Sequence, residues 1–214
     1  MTFSQSFYDH AYTVFWKTYR VLFKIMFRWK VYGLGHVPST GGAILAVNHA
    51  SALDPFLGGI GLHRKIWYLG RSSLVKNRLV DFIMACQHFV PITRGSPDIA
   101  AVRRIIELIR TGEIVLMFPE GTRSLDGALG PGREGIGMLV SHAQADVIPC
   151  YISGAWVALP KGAVIPRPRK IRIAYGPLIT YEEFRECPGN REGYRRISEK
   201  IMERIAELKK QMEG

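Results

Sequence analysis

The stretch Gly41-Gly42-Ala43-Ile44-Leu45-Ala46-Val47-Asn48-His49-Ala50-Ser51-Ala52-Leu53-Asp54-Pro55 joins an apolar run to a helix start. A short apolar run bounded by glycines, Ala43 to Val47, reads as a buried strand. Asp54-Pro55 reads as the opening of a helix, with Asp as N-cap and Pro at the first helical position. His49 therefore lies just past the C-terminal end of a strand, and Asp54 at the mouth of the helix that follows. A tight loop can fold the carboxylate back onto the imidazole, fixing one ring nitrogen and leaving the other free to take a proton. The spacing alone is met more often by a loop histidine and a capping aspartate with no joint role.

A second stretch of the same kind tips this balance. Glu113-Ile114-Val115-Leu116-Met117 reads as a strand, and Phe118-Pro119-Glu120-Gly121-Thr122-Arg123-Ser124 follows it. In Gly121-Thr122-Arg123 the glycine permits close backbone approach, the hydroxyl donates, and a guanidinium can grip a phosphate with two hydrogen bonds. Together, N-H-x-x-x-x-D and F-P-E-G-T-R-S resemble the signatures of the glycerolipid acyltransferase family, and within it the enzymes that acylate 1-acyl-glycerol-3-phosphate. The likeness runs from about Gly33 to Gly176.

The resemblance implies His49 and Asp54 as the catalytic pair, and Arg94, Glu120, Gly121, Thr122 and Arg123 as acceptor-binding residues. Lys76, Arg133 and Arg71 stand near positions where relatives carry basic residues. Ile148-Pro149 matches a weaker motif, a strand lining the site. Glu120, a carboxylate beside a phosphate site, would repel that ligand, so it either organises the loop or meets glycerol hydroxyls. The second motif usually begins with Gly and carries Asp before its arginine. This chain has His88 and Thr93 at those positions, and the role of Arg94 loses a partner thereby.

The implied reaction moves a fatty acyl group from acyl-CoA or acyl carrier protein to the 2-hydroxyl of 1-acyl-glycerol-3-phosphate, giving phosphatidic acid. It calls for no metal and no cofactor beyond the thioester co-substrate. The same chemistry on glycerol-3-phosphate or a lyso-amino lipid is an alternative. So is a non-catalytic basic protein of the membrane surface. That last reading leaves the pairing of the two motifs without a reason.

With 214 residues and 47% apolar content the chain is long enough for one domain with a sizeable core. Its net charge of +11 fits an anionic partner, whether nucleic acid, membrane surface or acidic substrate. Nucleic acid fits least, because the aromatics crowd one apolar segment instead of interleaving with cations. Cys86, Cys150 and Cys187 are odd in number and far apart, as expected of reduced thiols. Gly130 to Gly135 satisfies G-x-G-x-x-G but sits in a loop well past its strand, so it is not a dinucleotide fingerprint.

Residues 1–30 are read as an amphipathic membrane-associating segment and 31–214 as the acyltransferase domain. Phe3 to Lys30 is aromatic-rich and free of Gly and Pro, one long helix with a break expected near Thr13 or Thr18 if anywhere. Lys17, Arg20, Lys24 and Arg28 fall within roughly 80° of its wheel, and apolar residues fill the rest. Charges interrupt every long window, so a spanning helix is not expected. An interfacial helix is, lying on the cytoplasmic face of the cell membrane with its cations at lipid phosphates. A helix packed on the domain core, with the stripe solvated, is the competing reading.

Downstream, predicted helices Pro55–Leu62, Asn77–Gln87, Asp98–Thr111, Ile136–Ala143 and Asn190–Met212 alternate with predicted strands Ile66–Gly70, His88–Ile92, Val147–Ile152 and Lys170–Tyr175. The last alternates basic and apolar residues, as an edge strand would. This order predicts an α/β fold with a largely parallel or mixed central sheet and helices on both faces, its chemistry at the C-terminal ends of the strands.

Overall fold

The computed structural model describes residues 4–74, 78–93 and 98–213. Seven strands form one sheet: β1 (Lys30–Tyr32), β2 (Ala43–Val47), β3 (Ile66–Arg71), β4 (Phe89–Ile92), β5 (Ile114–Met117), β6 (Asp146–Ser153) and β7 (Arg172–Tyr175). Their order is β1-β7-β6-β2-β5-β3-β4, and every pairing is parallel except β6 with β7. The helices are α1 (Gln5–Phe27), α2 (Asp54–Gly59), α3 (Arg78–Cys86), α4 (Ile99–Arg110), α5 (Glu134–Ala143), α6 (Ala155–Ala158) and α7 (Arg191–Glu213).

β2 is the central strand, and all five of its residues are buried. Because successive side chains point to opposite faces, Ala43, Leu45 and Val47 enter one core while Ile44 and Ala46 enter the other. A continuous apolar run is what such double burial demands. The first core takes in Tyr12 and Phe27 of α1, Leu57 of α2, and Ala155 and Ala158 of α6; the second takes in α4, α5 and α7. Asp146 to Ser153 of β6 pairs with β2 on one side, and β5 pairs with it on the other. The loops leaving β2, β5 and β6 therefore emerge side by side at one end of the sheet.

α1 is unbroken through Thr13 and Thr18, whose hydroxyls donate to the carbonyls of Asp9 (3.0 Å) and Val14 (2.8 Å). Ser4 caps its start, and Arg28, at φ 44°, ends it with its N–H on the Lys24 carbonyl. Its surface divides into three stripes. Tyr12, Trp16, Tyr19, Phe23 and Phe27 face the sheet core. Lys17, Arg20, Lys24 and Arg28 form the second. Val14, Phe15, Val21, Leu22, Ile25 and Met26 form the third and are exposed, Ile25 by 76%. Among the described residues no helix is long and apolar enough to cross a membrane.

Several elements differ from expectation. Arg172–Tyr175 is not an edge strand: β1 covers its outer side. Its exposed basic residue is Arg172, at the strand's first position, whose guanidinium donates to the Met212 carbonyl at 2.8 Å. α2 begins at Asp54 itself, with Leu53 at the N-cap position, so Asp54 is not the cap the sequence suggests. α5 begins at Glu134 rather than Ile136.

Candidate active site

β2 delivers Asn48 and His49 to the C-terminal end of the sheet. Asn48 continues the β2–β6 pairing with its side chain, accepting the Ile152 N–H at 2.7 Å and donating to the Ile152 carbonyl at 3.2 Å. Ser51 donates to the Leu159 carbonyl at 2.8 Å. Asn48 thus holds the loop against β6 itself, and Ser51 holds it against the segment that follows β6.

Asp54 is fully buried, and its carboxylate turns back onto the loop. Its Oδ2 accepts the N–H of Ala50 (2.7 Å) and Ser51 (2.6 Å) and lies 3.0 Å from His49 Nδ1. A carboxylate oxygen only accepts, so the contact puts the ring proton on Nδ1 and leaves Nε2 as the lone-pair nitrogen. One face of the imidazole stacks on Phe118, with ring centroids 3.8 Å apart and planes 14° from parallel. The His49 side chain keeps 16% exposure, against none for Asp54. An imidazole held this way can take up a proton on Nε2 while the carboxylate orients the ring.

The loop after β5 is clasped to His49 from both sides. Glu120 Oε1 accepts the His49 N–H at 2.8 Å, and Ser124 N–H donates to the His49 carbonyl at 2.8 Å. Glu120 Oε2 accepts the Gly130 N–H at 2.9 Å, and Arg133 N–H donates to the Pro119 carbonyl at 2.8 Å, which closes the loop on itself. Burial pushes the Glu120 carboxyl above its usual range, and the two backbone donors oppose that rise. Its two hydrogen bonds tie the His49 main chain to Gly130, so Glu120 braces this loop. It is 5% exposed, with each oxygen on a backbone amide.

Gly121 sits at φ 66°, and an added Cβ there would meet Arg133 Cγ at 3.2 Å, so this turn requires glycine. Thr122 is exposed and Arg123 half-buried, and Arg123 has no hydrogen-bond or ion-pair partner among the described residues. Arg133 is exposed at the rim of a 280 Å³ hollow inside the loop, lined also by Glu120, Thr122 and Asp126. Arg71 ends β3, exposed. Arg94 and Lys76 lie outside the described residues. Among the described residues no group of three His, Cys, Asp or Glu gathers as a metal site.

His88, which stands where the second motif usually has Gly, adopts φ 51°, the left-handed region that favours glycine. Thr93 donates its N–H to Asp98 Oδ2 at 3.0 Å, and Asp98 caps α4. Three contributors to the site carried no role in the sequence reading: the Asn48 amide, the Ser51 hydroxyl and the Phe118 ring. All lie inside the quoted motifs. Their signal was the motif itself, since spacing does not disclose which backbone groups a side chain will reach.

A motif pair so arranged invites comparison with known proteins, and the acyltransferase family model matches residues 28–153. The chain belongs to the acyltransferase family. It is 25% identical over 185 residues to the 1-acyl-sn-glycerol-3-phosphate acyltransferase of Bacillus subtilis, covering 86% of this chain and 89% of that one. It is 30% identical over 168 residues to the enzyme of the same name from Limnanthes douglasii, covering 72% of this chain and 56% of that one. So this chain spans little more than half the plant relative's length. The crystal structure of the 1-acyl-sn-glycerophosphate acyltransferase of Thermotoga maritima superposes with a TM-score of 0.74 at 24% identity, over 94% of this chain and 79% of that one. It shares the fold.

Proposed function

We propose that this acyltransferase moves a fatty acyl group from a thioester, acyl-CoA or acyl carrier protein, to the 2-hydroxyl of 1-acyl-glycerol-3-phosphate, giving phosphatidic acid. The observation that carries the reading is the clasp: a paired His49 and a loop bearing the unpartnered Arg123 are hydrogen-bonded to each other through the His49 main chain. The names of the Bacillus and Limnanthes relatives support the choice of acceptor.

In this reading the acceptor's phosphate docks on Arg123, helped by Arg94 and by the weaker candidates Lys76 and Arg133. Thr122 and the Gly121 backbone line the same loop. His49 Nε2 removes the proton from the 2-hydroxyl, and Asp54 holds the imidazolium that forms. The alkoxide attacks the thioester carbonyl; the new ester C–O bond forms as the C–S bond breaks. A thiol of pKa about 8.5 leaves without strong acid assistance. One base, one orienting carboxylate and a phosphate clamp suffice, so no step calls for a metal, a cofactor or a covalent enzyme intermediate.

The acceptor lives in a bilayer and the donor arrives from water, so the site belongs at an interface. We assign residues 1–30 to membrane attachment through the outer stripe of α1, with the protein peripheral or monotopic on the cytoplasmic face. The cationic stripe is partly used within the protein. Arg20 lies 4.6 Å over the Trp16 ring, and Lys24 donates to the Trp29 carbonyl at 2.8 Å. Lys17 and Arg28 are the more available cations. Deleting α1 would also strip Tyr12 and Phe27 from the core, so the outer stripe alone should be changed. Leu22→Asn with Ile25→Asn should release the full chain from vesicles without unfolding it.

The acceptor is tested by purified protein with a labelled acyl thioester and a panel of 1-acyl-glycerol-3-phosphate, glycerol-3-phosphate and lyso-amino lipids. Preference for the first is expected. Preference for another acceptor would keep the chemistry and change the substrate, and transfer to none would leave a non-catalytic membrane-surface protein.

A further inference from the structure

The loop from Pro160 to Lys170, between α6 and β7, exposes Val164 by 89% and Ile165 by 80%, more than any other large apolar side chain described. Adjacent apolar side chains held out in water at a loop tip call for a partner. The tip is framed by Gly162 at φ 94° and by Pro166 and Pro168, so its shape is constrained by local backbone chemistry. Its base is fastened: Ala163 N–H donates to the Pro160 carbonyl at 3.1 Å and Arg167 N–H to the Ala158 carbonyl at 2.7 Å.

Lys161, Arg167, Arg169 and Lys170 flank the tip, and no Asp or Glu occurs from residue 147 to residue 181. Lys161, Arg167 and Lys170 make no ion pair among the described residues. An apolar tip ringed by unpaired cations complements a surface that is apolar below and anionic above, which is a bilayer with acidic headgroups.

The loop also touches both elements that the proposed function needs at the interface. At its start, the Leu159 carbonyl accepts the Ser51 hydroxyl of the His49 loop. At its end, Ile171 N–H donates to the Phe27 carbonyl in the last turn of α1, one turn from Leu22, Ile25 and Met26. We propose that residues 160–170 are a second lipid-contacting element, with Val164 and Ile165 in the acyl boundary and the cations at headgroup phosphates. With α1, to whose last turn its end is hydrogen-bonded, it would make two neighbouring attachments. That fixes the molecule's tilt as well as its attachment. The inference rests on the membrane reading of α1.

The test uses the full chain and vesicles of phosphatidylcholine, with or without a large share of phosphatidylglycerol. Val164→Asn with Ile165→Asn should weaken binding to the anionic vesicles about tenfold or more. Cys86 and Cys150 are buried, so with Cys187→Ser the thiol of Ile165→Cys can be labelled with an environment-sensitive fluorophore. Its emission should shift to the blue on anionic vesicles and be quenched by acyl-chain quenchers. If the Leu22, Ile25 variant is released while the loop variant binds normally and the label stays in water, the loop proposal falls and the α1 reading stands. If neither variant is released, the membrane reading itself falls. Normal vesicle binding with activity lost only toward an acyl carrier protein donor would overturn the proposal and give the loop to an acidic protein instead.

Discussion

Among the described residues two histidine–aspartate pairs of nearly equal length lie at opposite ends of the sheet. His49 Nδ1 lies 3.0 Å from Asp54, and His88 Nε2 lies 3.1 Å from Asp9. The first stands past the end of β2, with one ring face on Phe118 and the side chain 16% exposed. The second stands before β4, its ring sandwiched between Tyr12 at 4.8 Å and Trp67 at 4.7 Å, and is 2% exposed. Lys65 shares Asp9 at 2.6 Å. Both pairs have a carboxylate on one nitrogen. Only the first is joined to a loop carrying an unpartnered arginine, and only the first leaves its imidazole reachable. A histidine–aspartate distance therefore identifies neither a base nor a packing contact; the surroundings of the free nitrogen do.

The largest expected effect follows from removing the reachable imidazole. His49→Ala should lower kcat by about 10²–10⁴-fold, the range of general acid–base catalysis. Its unfolding midpoint should stay near that of the parent. His88→Phe should leave kcat on a water-dispersed, short-chain acceptor unchanged. If both variants lost activity alike, the distinction between the pairs would be wrong.

Asp54→Asn should cost no more than losing the imidazole, up to about 10⁴-fold in kcat, because the wrong tautomer is favoured while the ring remains. Asp54 also accepts two backbone N–H groups, so a modest fall in thermal stability should accompany the loss. A stability loss with kcat intact would recast Asp54 as a loop brace alone.

Arg123→Ala tests the other half of the contrast. Charge-assisted hydrogen bonds to a phosphate contribute about 1.5–3 kcal/mol, so the acceptor's KM should rise about 10–100-fold with kcat little changed. A rise confined to the thioester's KM would move Arg123 to the phosphates of coenzyme A.

The two pairs also differ in how legible they were. His49 and Asp54 could be read together because strand, loop and helix start are contiguous and fix their separation. Asp9 and His88 are joined only by the docking of α1 across β3 and β4, which no local pattern encodes, and His88 stood out only as a non-glycine at a glycine position. The alternation of strands and helices was readable because each element's apolar period is local. The place of β7 between β1 and β6 was not, since a strand only four residues long carries little pattern about its neighbours. Asp54 as a cap was off by one position: the helix starts at Asp54, while its carboxylate folds back onto the loop amides and His49. The outer apolar stripe of α1 was visible as excess apolar width. That Arg20 and Lys24 turn inward to Trp16 and Trp29 was not.

The smallest effect is a pH dependence of stability at the His88 pair. Burial holds His88 below the ordinary histidine value near 6.5; Asp9 opposes this and Lys65 adds to it. Between that depressed folded value and about 6.5, the unfolded chain binds more protons than the folded one. Stability is then complete above about pH 6.5 and declines as pH falls through this window. His88→Phe keeps an aromatic ring between Tyr12 and Trp67 and removes the proton site, while Asp9 retains Lys65. The variant should therefore lose less stability than the parent on going from pH 8 to about pH 5, measured as urea midpoints across that range. Its activity at neutral pH should be unaltered. Parallel curves for the two proteins would mean that His88 contributes no proton linkage, and the buried pair would differ from the reachable one in access alone.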